Sequence, residues 1–230
     1  MDPEPVSLST IPLFRALAPR RRQALTAQAA VETYRRGQTL FVQGAPAQHV
    51  WLVVNGWVHL VRAPAPDHSH PVVIFTVTPK EVLCGVSALE LQTYSASGVA
   101  GSEATVLRIP AVAFRELLTR DAAFAYDVLC LCAERIRHLA ERCGEMAEPV
   151  TARIIRTLLQ LRRQFGATLP VTHRELSQMS WTTTESAIRV VRGLKRRGYV
   201  TGRRGQLTIA RAAALRKLLQ PSGVGNGRAA

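Results

Sequence analysis

The chain has 230 residues with a formal net charge of +14, and 47% of its residues are hydrophobic. That length and apolar content suffice for one large or two modest packed domains, and the excess of arginine points to a polyanionic partner, most simply nucleic acid. No apolar run reaches the ~18 residues of a membrane-spanning helix, the first residues lack a secretory pattern, and the four cysteines follow neither a zinc spacing nor an extracellular disulfide framework, so a cytoplasmic chain with free thiols is expected.

Residues 1–10 are polar, and residues 11–17 and 20–30 read as short helices. From Val31 the apolar period changes. Residues 36–44 form a strand between turn glycines, and residues 50–54 form another. Asn55-Gly56 is a hairpin signal, with a return strand over 57–62. Residues 63–71 form a proline-rich loop, in which Asp67, His68 and His70 could clip a metal but fit an exposed polar loop better. Strands over 72–77, around Leu83 and over 104–109 complete a series whose spacing argues for a sandwich or barrel.

Residues 111–120 read as a helix, and Asp121 can cap the next, which runs to about Ala147. Val128, Cys132, Arg135 or Ile136, Leu139, Cys143 and Met146 follow a heptad-like spacing along it. Glu148-Pro149 interrupts the pattern and marks a hinge, because proline restrains the residue before it. A helix then covers 151–165 with Ile154, Ile155, Leu158, Leu159 and Leu161 inward, ended by Gly166.

Residues 171–199 hold two helix starts in quick succession. Thr172 with Glu175, and Thr182 with Glu185, each fit a capping box. The first short helix buries Leu176 and Met179, Ser180 and Trp181 make the turn, and the second runs over 183–197 to an αL cap at Gly198. Ala187, Ile188, Val191 and Leu194 form its core side. Glu185, Ser186, Arg189, Gly193 and Arg196 face away, and arginine can donate to guanine while glutamate can accept from cytosine. Two short helices of this kind make a helix-turn-helix; a helical hairpin with a solvated charged face is the alternative. The hairpin expected over 199–209, with Arg203 and Arg204 at its tip, is a wing suited to phosphates. A last helix covers 211–219, and residues 221–230 read as a disordered tail.

The run Thr172-His173-Arg174-Glu175-Leu176, then Thr184-Glu185-Ser186-Ala187-Ile188-Arg189, then Gly198-Tyr199-Val200 and the hairpin resembles the winged helix-turn-helix of the CRP/FNR family of bacterial transcription regulators. Its members commonly carry R-E-T-V-x-R on the recognition helix; Glu185 and Arg189 keep that pattern and Thr184 replaces the first arginine. Gly37, Phe41, Gly44 and Ala47, followed by Val53-Val54-Asn55-Gly56, resemble the sensor domain of the same family. The resemblance implies an α+β chain: a cyclic-nucleotide-binding-like jelly-roll β-barrel over 1–120, a long dimerisation helix over 121–147, and a winged helix-turn-helix over 148–220. It implies a homodimer on near-palindromic double-stranded DNA that works with RNA polymerase. Glu185, Ser186 and Arg189 would read bases, and Thr172, Thr182, Thr184, Arg192, Arg196, Arg203 and Arg204 would meet phosphates. Val128, Cys132, Ile136, Leu139, Cys143 and Met146 would form the dimer seam.

The effector pocket implied by the resemblance is built from Cys84, Gly85, Val86, Tyr94, Ser95, Ala96, Arg135 and Leu139. The family's phosphate cassette has glutamate where this chain has Gly85 and arginine where it has Tyr94. The charge that would compensate a buried phosphate is missing, so an effector other than a cyclic nucleotide is expected. Cys84 matches a haem-ligating cysteine of carbon-monoxide-sensing members, although their histidine two residues on is Val86 here. A buried, inert thiol is the alternative, and no cofactor or metal is otherwise indicated. Cys132 and Cys143 on the seam could pair between subunits or serve as small apolar residues. The chain shows no G-x-S-x-G, H-E-x-x-H or Walker loop, so no enzyme is expected. The competing function is a barrel that binds a small ligand or partner protein, with only nonspecific nucleic-acid contact from the basic C-terminus.

Overall fold

The computed structural model describes residues 8–63, 71–83, 87, 89, 92–203 and 205–220. The described chain divides into two compact units between Glu141 and Arg142. No described helix is long and apolar enough to cross a membrane.

In the first unit, strands β1 (Ala30–Tyr34), β8 (Ala104–Pro110), β3 (His49–Asn55) and β6 (Val82–Leu83) pair antiparallel in that order. A second sheet orders β2 (Thr39–Phe41), β7 (Ser97–Ala100), β4 (Val58–Arg62) and β5 (Val72–Val77). Side chains alternate across a strand, and β3 is apolar on both faces. Trp51 and Val53 pack inward with Phe41, Val58, Leu60 and Tyr94 between the sheets. Val50 and Leu52 pack outward beneath a helical shell made of α1 (Pro12–Arg15), α2 (Pro19–Gln28), α3 (Ala111–Arg120) and the start of α4 (Ala122–Glu145). Phe14, Phe114 and Phe124 close that outer layer with ring centroids 5.4 to 5.7 Å apart. Asp121 fulfils its expected role: its Oδ1 accepts the Phe124 N–H at 3.0 Å, and its carboxylate pairs with Arg21.

One expected hairpin is a different object. Asn55-Gly56 does turn the chain, but β3 and β4 do not pair; they lie in different sheets. The turn is a corner between the layers. Gly56 has φ +72°, and a Cβ there would run into the Glu103 carbonyl and the Ala104 Cα. Close approach as well as backbone sign therefore requires glycine. Strand β7, with the sequence Ser-Gly-Val-Ala, carries too weak a pattern to be foreseen.

The second unit holds α5 (Val150–Phe165), β9 (Thr168–Leu169), α6 (His173–Met179), α7 (Thr184–Arg196), β10 (Val200–Arg203), β11 (Gln206–Ile209) and α8 (Ala212–Lys217). Pro149 starts α5 with φ −55°, and Gly166 ends it with φ +78°. Ile154, Ile155, Leu158 and Leu161 from α5 are buried, as are Leu176, Val191 and Leu194 of the next two helices; Leu159 is only half-buried. The wing is a three-stranded sheet in the order β10-β11-β9, one strand more than expected.

Candidate nucleic-acid interface

Helix α6 begins with the expected capping box: Thr172 Oγ1 accepts the Glu175 N–H at 3.1 Å, and Glu175 Oε2 accepts the Thr172 N–H at 2.7 Å. Thr172 Oγ1 also donates to Glu175 Oε2 at 2.8 Å. Its single proton thus serves the helix start in this structure.

The start of α7 differs from expectation by one residue. Thr182 is drawn into the turn, its N–H donating to the Ser177 carbonyl at 3.0 Å. Thr183 is the cap, accepting the Ser186 N–H at 3.2 Å and donating to Ser186 Oγ at 3.0 Å. Glu185 therefore has no capping duty and is exposed. Ser186 is half-buried at the flank of the helix, and Thr184 Oγ1 lies 3.2 Å from Ser177 Oγ. The helix ends as foreseen: the Gly198 N–H donates to Lys195 O at 2.9 Å and the Tyr199 N–H to Leu194 O at 3.0 Å, with Gly198 at φ +68°. This is a Schellman closure.

These two ends fix which face of α7 looks outward. Ala187, Val191 and Leu194 are at most 3% exposed and anchor the helix. Glu185, Arg189, Arg192 and Arg196 are exposed and fall within roughly 60° of one another at 100° per residue. Ile188, expected in the core, is 36% exposed and borders this stripe. The result is one acidic acceptor near the N-terminus followed by three guanidinium groups along one face, the arrangement that can meet base edges and flanking phosphates in a major groove. In the wing, Arg203 pairs with Gln206 across the strands and is exposed; Arg204 lies outside the described residues.

The turn between α6 and α7 is built around Trp181, a non-glycine residue at φ +51°. Such a conformation costs about 1–2 kcal/mol for an L-residue with a Cβ, so the surrounding structure must hold it. Arg153 Nη1 donates to the Trp181 carbonyl at 3.0 Å, and Ser180 Oγ donates to Thr157 Oγ1 at 2.9 Å. Arg142, in the last turn of α4, donates to the Met179 carbonyl and places its guanidinium 4.8 Å from the centre of the Trp181 ring. Sequence reasoning missed Arg142 and Arg153, because nothing local marks a cation that meets a turn 37 or 28 residues away.

In the barrel, Tyr94 is 4% exposed and belongs to the inner core. Its hydroxyl accepts from the His49 N–H at 3.2 Å, lies 3.4 Å from the Trp51 indole nitrogen, and donates to the His49 carbonyl at 3.1 Å. Its ring packs 4.4 Å from that of Phe41. Ala96 is buried and Ser95 exposed. Cys84, Gly85 and Val86 lie outside the described residues, as do Asp67, His68, His70 and the tail over 221–230. From α4, Arg135 donates to the Val82 carbonyl and sits 5.6 Å from the Phe75 ring. His138, absent from the sequence reading, lies tilted against the same ring with centroids 5.6 Å apart, and Leu139 next to it in the chain is half-buried. Among the described residues no group of three His, Cys, Asp or Glu could hold a metal ion.

Helix α4 has two apolar stripes, and the expected seam mixes them. Val128 is 4% exposed inside the unit's own outer core, and the half-buried Cys132 packs against that core. The outward stripe is Tyr126, Leu129, Ala133, Ile136, Ala140 and Cys143, all exposed, at alternating spacings of three and four. Tyr126, Leu129 and Ile136 are each 67% exposed and Met146 is 54% exposed. Apolar residues at this alternating spacing have the pattern of a coiled-coil seam.

Residues 31–121 match the model of a cyclic nucleotide-binding domain, and residues 152–218 match that of a Crp-like helix-turn-helix domain. Over 209 residues the chain is 27% identical to the cyclic AMP receptor protein of Thermus thermophilus, covering 90% of this chain and 96% of that protein. Its fold is similar to that of FixK2 from Bradyrhizobium japonicum, with a TM-score of 0.73, 16% identity, and coverage of 83% and 96% of the two chains. It is likewise similar to the c-di-GMP responsive global regulator CLP of Xanthomonas campestris, with a TM-score of 0.72, 20% identity, and coverage of 84% and 99%.

Proposed function

Since the chain belongs to the CRP/FNR family of transcription regulators and carries their helix-turn-helix, we propose that it acts in the cytoplasm as a homodimer on near-palindromic DNA and answers to a small effector other than a cyclic nucleotide. In a twofold dimer the two α7 helices enter successive major grooves about one turn apart. Glu185 and Arg189 read bases, with Ser186 at their flank. Arg192, Arg196 and Arg203, with Arg204 beyond the wing strand, hold phosphates. The regulator's protein partner is RNA polymerase, as the resemblance implies.

The observation that carries the effector reading is Tyr94. A cyclic phosphate is an anion that must be matched by a cation or by several donors when buried. The residue in the position of the family's arginine is here a neutral side chain, packed into the aromatic core with its hydroxyl engaged at His49 and Trp51. Arg135 and His138 of α4 instead lie against the Phe75 ring, with Arg135 donating to the Val82 carbonyl.

Calorimetric titration of the full chain with cAMP, cGMP and c-di-GMP tests the effector reading. No heat of binding is expected up to millimolar nucleotide; a micromolar affinity for any of the three would overturn it. An absorption spectrum of freshly purified protein tests the Cys84 alternative, since a Soret band would establish haem. Native mass and selection from randomised duplexes test the dimer and DNA reading, with a dimer and an enriched inverted repeat as the expected results.

A further inference from the structure

We propose that Arg142 is a positioning residue for DNA recognition: from the end of the long helix it grips the helix-turn-helix at Trp181 and so sets the pose of α7. This rests on the reading of the chain as a sequence-specific DNA binder.

Four observations converge on the turn. Trp181 occupies a left-handed backbone position where glycine would sit without strain, so its side chain must serve a purpose there. Its ring lies 4.8 Å from the Arg142 guanidinium, a cation–π pair. The same guanidinium donates to the Met179 carbonyl, the last residue of α6. Arg153 and Thr157, on α5, hold the opposite side of the turn through the Trp181 carbonyl and Ser180 Oγ.

Arg153 and Thr157 follow the Glu148-Pro149 break and belong to the folded body of α5. Arg142 precedes it, and within the second unit it ties the end of α4 to the turn. Burial holds the Arg142 guanidinium below its ordinary pKa, as expected for a cation with little water around it. Any movement of the last turn of α4 must therefore carry the turn at residues 179–181 with it, or give up both the carbonyl bond and the ring. Three residues beyond Trp181 lies the first residue of α7, so the orientation of Glu185 and Arg189 follows from that of the turn.

The test is a double-variant cycle on the full chain with Arg142→Gln and Trp181→Leu, reading affinity for a duplex chosen by selection and for an unrelated duplex. Each single variant is expected to lower affinity for the selected duplex by about tenfold, and the double variant to be no worse than either single. Affinity for the unrelated duplex is expected to stay within about twofold, since the exposed phosphate-binding arginines are untouched. Arg142→Lys should recover only part of the loss, because lysine keeps the charge without the planar fork. Additive losses, equal losses on both duplexes, unchanged affinity or a gain would each overturn the proposal. If Arg142→Gln or Trp181→Leu fails to fold, judged by circular dichroism and native mass, amide exchange of residues 179–183 in Arg142→Lys decides: faster exchange supports the grip and unchanged exchange overturns it. Failure of the wild-type chain to enrich any duplex would sink the DNA-binding reading itself, a result distinct from all of these.

Discussion

Thr183 Oγ1 accepts the Ser186 N–H at 3.2 Å, and that single bond decides the role of Glu185. Were Thr182 the cap, the Glu185 carboxylate would fold back onto the helix start. With Thr183 there, it stays exposed at the head of the arginine stripe. Thr183→Ala should cost about 1 kcal/mol of stability, the usual worth of a threonine cap. Thr182→Ala should cost less than about 0.5 kcal/mol. Denaturant melts of both variants check the order, and the reverse ranking would move the cap.

Arg189 and Arg203 divide base reading from phosphate binding. Arg189→Ala should cost about 1–3 kcal/mol at particular base positions and relax the sequence preference there. Arg203→Ala should weaken binding to all duplexes alike and reduce the salt slope by about one. Binding isotherms on a set of single-base operator variants at several salt concentrations separate the two; identical profiles would reduce the C-terminal unit to a general nucleic-acid binder.

Removing the Tyr94 hydroxyl leaves the part-buried His49 backbone groups without that partner. Tyr94→Phe should therefore destabilise the barrel by about 1–3 kcal/mol without creating nucleotide affinity. Thermal unfolding and a cAMP titration of the variant check both halves. Unaltered stability would show the hydroxyl to be dispensable.

In the proposed homodimer the outward stripe of α4 would form the seam. Cys143 falls on it, so in a parallel pair the two Cys143 side chains meet across the axis within disulfide reach, about 4.4–6.8 Å between Cα atoms. Copper–phenanthroline oxidation should give a covalent dimer that Cys143→Ser abolishes and Cys132→Ser leaves intact. Crosslinking through Cys132 instead would restore the seam that Val128 and Cys132 suggested.

Burial first, and then Arg108, hold His49 below its ordinary pKa of 6.5; burial and then Lys195 do the same for His173. Below that value the unfolded chain takes up protons that the folded chain refuses. Stability is therefore fully present above pH 6.5 and is lost as the pH falls from there toward the folded values. Denaturant midpoints at about pH 7.5 and 5.5 should show the decline, and His49→Gln with His173→Gln should flatten it. A midpoint that rises on acidification would contradict the assignment.

What could be read from the residues alone was local. The Thr172–Glu175 box, the Gly198 closure and the wing strands each follow from a few adjacent side chains. What could not be read depended on choice between equivalents. Three threonines in a row, Thr182 to Thr184, offer three caps, and only the left-handed Trp181 before them selects one. Helix α4 is apolar on two sides, and spacing does not say which side meets its own barrel, so Val128 and Tyr126 could exchange roles on paper. Asn55-Gly56 signals a turn without saying whether the strands it joins share a sheet. Tyr94 was legible as a missing charge, but its bonds to His49 and Trp51 required the folded barrel. Trp181 was legible as a turn residue, but its meeting with Arg142 had no signature, because that contact is purely tertiary.

The corner at Gly56 has a further implication. There one methyl group would press on the neighbouring Glu103–Ala104 segment, and that segment begins β8, which separates β1 from β3 in the first sheet. A side chain at this point would pry apart the aromatic interior and the phenylalanine-lined outer shell together, so its damage would register far from the turn. Newly synthesised chains altered here would be expected to accumulate as aggregates while those altered at the exposed neighbour Asn55 remain usable.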